Sequence, residues 1–279
     1  MMLTHRSNEQ WATAIHAKIQ HVLDEPGLDS STSANSAALQ NGSPPFADIA
    51  SSDDPRFPLA IDHTLLTPDA TSAQIERLCD EAVRYKFKTC CVNGSNVRQV
   101  FERMAQNNSN TLVCCVVGFP LGAGSPKAKA YEATQAIADG AREIDMVINL
   151  GALKSSNFAA VYTDIHSTVQ SCHPYPVKVI IETSFLSTEE KIAACYIAAE
   201  AGAAWVKTCT GFSGSGGATK EDVALMWRTV SYMNGRVKVK ASGGIRTFDK
   251  AKELFKAGAE RLGTSSGPAL MHGLATRGY

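Results

Sequence analysis

From residue 57 onward the chain repeats one unit eight times: a short apolar run, a few turn residues, and a stretch with helical spacing. The runs are Leu59–Leu66, Phe87–Asn93, Thr111–Phe119, Glu143–Asn149, Val177–Thr183, Trp205–Thr210, Val237–Ser242 and Arg261–Ser265. They recur at intervals of about 20–35 residues, the length of a strand–helix unit with its connections. The segments between them carry matching helix signals. Thr71 with Gln74 and Ser187 with Glu190 have the spacing of capping boxes, and Ser125–Pro126 puts a cap before a first-turn proline. Thr219 and Thr247 open two more helical stretches, while Gly140, Gly202 and Gly258 stand where helices would stop. Eight such units in about 220 residues are more than an open doubly wound sheet usually holds. They fit a closed α/β architecture, the (β/α)8 or TIM barrel, whose chemistry lies at the C-terminal ends of its strands.

The N-terminal quarter stands apart. Residues 9–23 place Trp11, Ile15, Ile19 and Val22 on one helical stripe. Residues 24–56 are rich in Ser, Asn, Pro and Asp and read as a polar linker, with too little apolar surface to offset the entropy of ordering it. The expected division is therefore 1–56, an extension without chemistry of its own, and 57–279, the catalytic barrel.

Lys+Arg and Asp+Glu balance at 27 each, so nucleic acid and anionic membrane are not the expected partners. No run has membrane-spanning length and no secretory h-region opens the chain. The eight cysteines sit mostly in apolar runs, which suggests reduced, buried thiols in a cytoplasmic protein. The paired cysteines at 90–91 and 114–115 alternate across strands and lack zinc-site spacing, and the histidines are scattered. No metal or cofactor is expected.

Period-two alternation locates the candidate chemistry. In the sixth run, Lys207 and Cys209 face inward if Val206 faces the helices; in the seventh, Lys238, Lys240 and Ser242 do so if Val237 and Val239 face outward. Asp145 and Asn149 share the inward phase of the fourth run, Asp62 and Thr64 that of the first, and Cys91 points inward from the second. His63 falls on the outward phase and reads as structural. Lys238 lies a layer deeper than Lys240 and also reads as structural. An interior salt bridge would account for Asp145 with Lys240, but buried charges are costly and such a cluster calls for a reason. Catalysis supplies one. A lysine amine, with a reference pKa of about 10.4, attacks carbonyls only when neutral, and a second cation with partial burial lowers it. The resulting imine is an electron sink for cleavage of a neighbouring carbon–carbon bond, and a carboxylate with a bridging water can shuttle the protons. This pattern does not decide which lysine attacks.

Three loops after adjacent strands suit an anion. They are Gly211-Phe212-Ser213-Gly214-Ser215-Gly216-Gly217 after Thr210, Ser242-Gly243-Gly244-Ile245-Arg246, and Gly263-Thr264-Ser265-Ser266-Gly267. Glycines let backbone N–H groups approach a phosphate, and the last two βα loops form a recurrent barrel phosphate site. The spacing G-x-x-G-x-G-G, late in the chain and without a following acidic strand end, rules out a dinucleotide fingerprint. Gly122 and Gly124, after Phe119-Pro120, are expected to form another turn lining the site.

Taken together, IDHTLL (61–66), VVGFPLGA (116–123), EIDMVIN (143–149), KVIIET (178–183), VKTCTGF (206–212), VKASGGIRT (239–247) and RLGTSS (261–266) resemble the deoxyribose-phosphate aldolases, a class I aldolase family. The resemblance spans about residues 59–270, in family order. It implies reversible cleavage of 2-deoxy-D-ribose 5-phosphate to D-glyceraldehyde 3-phosphate and acetaldehyde. It also implies that the Schiff-base lysine is Lys207, with Lys240 and Asp145 in proton transfer. Asp62, Thr64 and Cys91 become pocket residues, and Gly211, Gly243, Gly244, Ser265 and Ser266 the phosphate cradle. Two departures stand out. The turn after the second run is Asn93-Gly94-Ser95-Asn96 where the family often has an N-P-S-Y-like turn, and Phe212 stands where some members have a basic residue. Phosphate binding then rests more on Arg246 or on backbone donors. The alternative is another phosphate-sugar barrel enzyme, an isomerase or a different Schiff-base lyase. A homodimer through outer helix faces is compatible with the chain, though no stripe marks it.

Overall fold

A computed structural model describes residues 6–24, 44–214 and 216–273. Its core is a closed barrel of eight parallel strands in chain order, β1 (Ile61–Thr64), β2 (Thr89–Val92), β3 (Leu112–Val117), β4 (Glu143–Val147), β5 (Val177–Ile180), β6 (Trp205–Lys207), β7 (Lys238–Ser242) and β8 (Arg261–Thr264). β8 pairs back onto β1, so no strand edge is left open. Each expected run holds one strand. Around them run α2 (Ser72–Tyr85), α3 (Val97–Gln106), α4 (Pro126–Ala138), α5 (Leu150–Lys154), α6 (Phe158–Cys172), α7 (Thr188–Glu200), α8 (Lys220–Val230), α9 (Phe248–Lys256) and α10 (Gly267–Met271), preceded by α1 (Asn8–Asp24).

The helix starts follow the sequence signals. Thr71 and Ser187 close capping boxes with Gln74 and Glu190, and the hydroxyls of Ser125, Thr219 and Thr247 accept the N–H of Ala128, Asp222 and Lys250. Outward strand residues such as Ile144, Met146, Val206, Val239 and Leu262 pack with helix residues such as Ile165, Ala194 and Leu254 in the main apolar core. That shell lies between strands and helices, so the polar interior of the barrel is free for other work.

The stripe on α1 is buried through Trp11, Ile15 and Val22, and the helix lies against α6, α7 and α8. The Trp11 ring packs at 5.2 Å from Tyr162 and 6.1 Å from Tyr196. Residues 25–43 of the polar stretch lie outside the described residues, as does Ser215 of the sixth loop. Residues 44–56 are less loose than their composition suggests. Ile49 is buried, Phe46 packs on Phe255 of α9, and Arg56 bridges Asp48 and Asp54. A few apolar anchors are enough to pin a polar segment when each finds a pocket. Among the described residues no helix is long and apolar enough to cross a membrane, and all eight cysteines are free and buried.

Candidate active site

Strand register sets which side chains meet inside the barrel. Lys207 lies opposite Lys240, Asp145 opposite Lys178, and Lys240 opposite Arg261. The deepest layer comes from the first residues of their strands, where the Arg261 guanidinium covers the Trp205 ring at 4.9 Å. Arg261 Nη1 donates to Asp62 Oδ1 at 2.6 Å and to Glu143 Oε2 at 3.0 Å. Lys178 Nζ reaches Glu143 Oε2 and Asp145 Oδ1, both at 2.7 Å, and Cys114 Sγ at 3.3 Å. Lys240 Nζ donates to Asp62 Oδ2 and, at 2.8 Å, to Asp145 Oδ2. Lys207 Nζ donates to that same Asp145 Oδ2 at 2.7 Å. The three predicted residues are thus joined through one carboxylate oxygen.

Asp145 is fully buried, and burial alone would raise its carboxyl. The ammonium groups of Lys178, Lys207 and Lys240 together override this and hold it well below the usual carboxylate range. Asp62 follows the same logic: burial pushes up, and Arg261, Lys240 and Lys178 pull it below its ordinary value. Lys240 goes the other way. Burial would strip its proton, but Asp145 and Asp62 raise it above the ordinary lysine value, with Lys178 opposing. Lys178 is likewise held protonated by Asp145, Cys114, Glu143 and Asp62 against its burial. The cluster contains four cationic side chains, Lys178, Lys207, Lys240 and Arg261, against three carboxylates, Asp62, Glu143 and Asp145. Loss of one proton from an amine leaves it electrically balanced.

Lys207 forms part of the wall of a cavity of about 290 Å³, completed by Thr64 to Thr67, Thr210 to Phe212, Ser242 to Arg246 and Gly263 to Ser266. Among the expected substrate residues, Thr64, Thr210, Gly211, Ser242, Gly243, Gly244, Arg246, Gly263, Ser265 and Ser266 all line it. Lys240, Asp145, Asp62 and Cys91 are fully buried one layer below. Both oxygens of Asp62 are taken by Arg261 and Lys240, and the Cys91 thiol lies beside Cys114 and Asp145. Asp62 and Cys91 therefore connect to the cavity only indirectly, through Asp145 and the Lys207 that lines it, in place of the direct pocket contact expected of them. Gly122 and Gly124 are not in the wall either. A Cβ on Gly122 would come within 2.1 Å of Ile148 O, so that turn braces the end of β4. Asn149, expected to face inward, lies beyond the strand end and caps α5, accepting from Ala152 N at 3.0 Å.

Two glycines explain how the wall fits together. Gly243 has φ +89°, and a Cβ there would meet Cys209 Sγ at 2.8 Å. A Cβ on Gly263 would meet Lys240 Cε at 3.0 Å, so its absence gives the lysine its path. Hydroxyls lock the loops together: Ser242 N donates to Thr208 Oγ1 at 2.9 Å, and Thr264 Oγ1 donates to Ile245 O at 2.7 Å. Ser266 N donates to Thr264 Oγ1 at 2.9 Å. Phe212 is about half exposed and packs edge-on against Phe119 at 5.1 Å. Arg246 is exposed at the rim. His63, on the outward face, pairs with Glu81 at 2.8 Å. Lys238 stays at the barrel foot with Glu260, at 3.4 Å.

Sequence reasoning missed Lys178, Glu143, Arg261, Cys114 and Glu182. The first three share the inward phase of Ile180, Asp145 and Gly263, a signal the alternation already carried. Glu182, buried two residues beyond the end of β5 with φ 55°, accepts from Thr210 N at 3.1 Å and from Ser213 Oγ at 3.3 Å, tying down the β6 loop. Among the described residues, two groups have metal-like spacing within 4.8 Å, Cys91 with Cys114 and Asp145, and Asp62 with Cys114 and Glu143. Lys178 Nζ already contacts Cys114, Glu143 and Asp145 and remains protonated there, so a metal cation would meet a fixed positive charge.

Residues 57–273 match the model of the DeoC/LacD family aldolases. The deoxyribose-phosphate aldolase of Lysinibacillus sphaericus is 51% identical over 219 residues, 78% of this chain and 96% of the relative. That of Carboxydothermus hydrogenoformans is 53% identical over 220 residues, covering 77% and 94%. A solved structure from Coccidioides immitis, described as a deoxyribose-phosphate aldolase, aligns with a TM-score of 0.83 at 35% identity over 97% of this chain and 98% of its own. The family match, the curated relatives and the barrel with its buried amine–carboxylate cluster agree: this chain belongs to the DeoC/LacD family of aldolases.

Proposed function

We propose that the chain is a class I deoxyribose-phosphate aldolase in which Lys207 is the imine-forming amine, Lys240 its partner and Asp145 the proton carrier. The reaction is the retro-aldol cleavage of 2-deoxy-D-ribose 5-phosphate to D-glyceraldehyde 3-phosphate and acetaldehyde, and it is reversible. One observation carries the assignment of roles: of the three lysines meeting Asp145, Lys207 is the one that lines the cavity. Lys178 and Lys240 are fully buried and keep their protons, so neither offers a lone pair to a carbonyl.

Neutral Lys207 attacks C1 of the open-chain aldehyde, and water leaves to give an iminium. A base takes the proton of the C3 hydroxyl. The C2–C3 bond breaks, its electrons flow into the iminium, and glyceraldehyde 3-phosphate departs. The enamine left on Lys207 takes a proton at C2, and water hydrolyses the imine to release acetaldehyde. Asp145, bonded to both Lys207 and Lys240, holds the protonated Lys240 against the reacting nitrogen and gives the protons a short relay. The phosphate fits the loops after β7 and β8, with backbone donors near Gly243 and Gly244, the hydroxyls of Ser265 and Ser266, and Arg246 at the rim. No cofactor takes part in this scheme.

The division into a 1–56 extension and a 57–279 catalytic barrel is part of the proposal. So are a reduced, cytoplasmic setting, supported by eight free cysteines, and a homodimer, for which the exposed Leu121 and Tyr131 offer apolar surface. A solution mass of one chain or of four would contradict the dimer. The activity itself is tested by incubating the chain with 2-deoxy-D-ribose 5-phosphate. Acetaldehyde should appear in step with glyceraldehyde 3-phosphate and vanish in Lys207→Ala. Turnover without acetaldehyde contradicts the reading.

A further inference from the structure

We propose that Lys129 and Asp164, a buried ion pair outside the reaction site, are positioning residues that hold the C-terminal end of β4 and thereby aim Asp145. The inference rests on the role given to Asp145 above. Lys129 projects from α4 and Asp164 from α6, and both side chains are essentially buried, at 1% and 2% exposure. Lys129 Nζ donates to Asp164 Oδ2 at 2.6 Å and to the main-chain carbonyl of Val147 at 2.8 Å. Val147 is the last residue of β4, two beyond Asp145.

A charge pair is an expensive way to fill that space. Apolar residues of similar volume are often neutral or better for stability. They cannot supply a donor to Val147 O, which lies where the strand gives way to α5. The lysine stem does a second job. Gly118 leaves β3 against it, and a Cβ at that position would meet Lys129 Cε at 3.0 Å. Gly118 N is held by Glu132 of the same helix at 2.8 Å, and Gly122 packs on Ile148 O. The exits of β3 and β4 are thus clamped about one side chain.

The carboxylate fixes that side chain. Burial pushes the Asp164 carboxyl up, and the Lys129 ammonium pulls against it. Any shift of the Val147 peptide passes through Met146 to Asp145, whose bonds of 2.7 and 2.8 Å to Lys207 and Lys240 tolerate little movement. The phosphate loops lie across the barrel on β7 and β8, so substrate binding should be spared.

The test is steady-state cleavage of 2-deoxy-D-ribose 5-phosphate by the full chain, comparing wild type with Lys129→Met/Asp164→Asn. The double change removes both charges and so leaves no buried ion unpaired. A positioning role predicts a folded variant with KM within about twofold and kcat lowered about tenfold or more. A folded variant with wild-type kcat overturns the proposal, as does a loss shared by kcat and KM. Should the double variant not fold, Asp164→Asn alone decides the matter. It leaves Lys129 its bond to Val147 O but frees the ammonium, so kcat should fall about threefold or more at unchanged KM. An unchanged kcat overturns the proposal. A wild-type chain that releases no acetaldehyde overturns the aldolase reading as well, whereas an active wild type with fully active variants overturns only the pair.

Discussion

One oxygen, Asp145 Oδ2, receives two lysines, and the account of the chemistry depends on that sharing. Asp145→Asn keeps the shape but gives up the charge that Lys207 and Lys240 both face. The amide cannot accept and return a proton at neutral pH, so kcat should fall by about 10²- to 10⁴-fold, read from initial rates of acetaldehyde release. A loss below about threefold would remove Asp145 from the proton path. Alternation placed Lys207, Lys240 and Asp145 inside the barrel from sequence alone. Alternation left the roles of the two lysines open, because both occupy the same phase of neighbouring strands, and only the family resemblance pointed to Lys207. Depth separates them: Lys207 reaches the cavity, and Lys240 is buried between Asp62 and Asp145. Lys178 and Arg261 were overlooked because attention to late strand positions passes over residues at strand starts, whose long side chains climb to the reacting layer.

At the scale of elements, the loops form the cavity rim above the strand residues, and each loop needs its own anchor. Glu182 anchors the loop after β6 through Thr210 and Ser213. Glu182→Ala leaves the buried Thr210 N–H without its acceptor and frees the wall around Gly211 and Phe212. KM should rise about tenfold, equivalent to about 1.4 kcal/mol, with a smaller change in kcat. Equal losses in kcat would mean that Glu182 acts on the chemistry. The extension shows the limits of reading composition. Its helix was evident from the stripe, but nothing in the sequence said where the stripe would dock, since that depends on Tyr162 and Tyr196, distant in sequence. Trp11→Ala should cost about 3–5 kcal/mol of stability in chemical denaturation and leave the kcat of the folded chain unchanged. A change in kcat would give the extension a part in the active site.

For the whole molecule, a closed barrel gathers charges from all around the sheet into one buried cluster, and stability becomes tied to pH. Asp62 and Asp145 titrate lower when folded than when unfolded, so their contribution is complete above the unfolded carboxylate value of about 3.9 and is lost as pH falls below it. Lys178 and Lys240 titrate higher when folded, so theirs is complete below the unfolded lysine value of about 10.4 and is lost as pH rises past it. Burial also raises the thiols of Cys115, Cys172 and Cys195, so the alkaline loss begins at the unfolded thiol value of about 8.5. Thermal unfolding should therefore show a plateau from the carboxylate limit up to about pH 8.5 and a fall on both sides; a maximum confined to one end would contradict the charge assignment. The eight-fold repeat made this architecture readable, because each unit announces itself locally by an apolar run and a cap. The cluster was only half readable, because pairing across strands depends on register and on side-chain reach, which no local pattern records. Borohydride reduction of the chain in the presence of acetaldehyde, followed by peptide mass mapping, tests whether Lys207 is the imine-forming amine. An ethyl group on Lys207, absent without acetaldehyde, is the predicted result; an unmodified Lys207, or an adduct on Lys240 in its place, would contradict it.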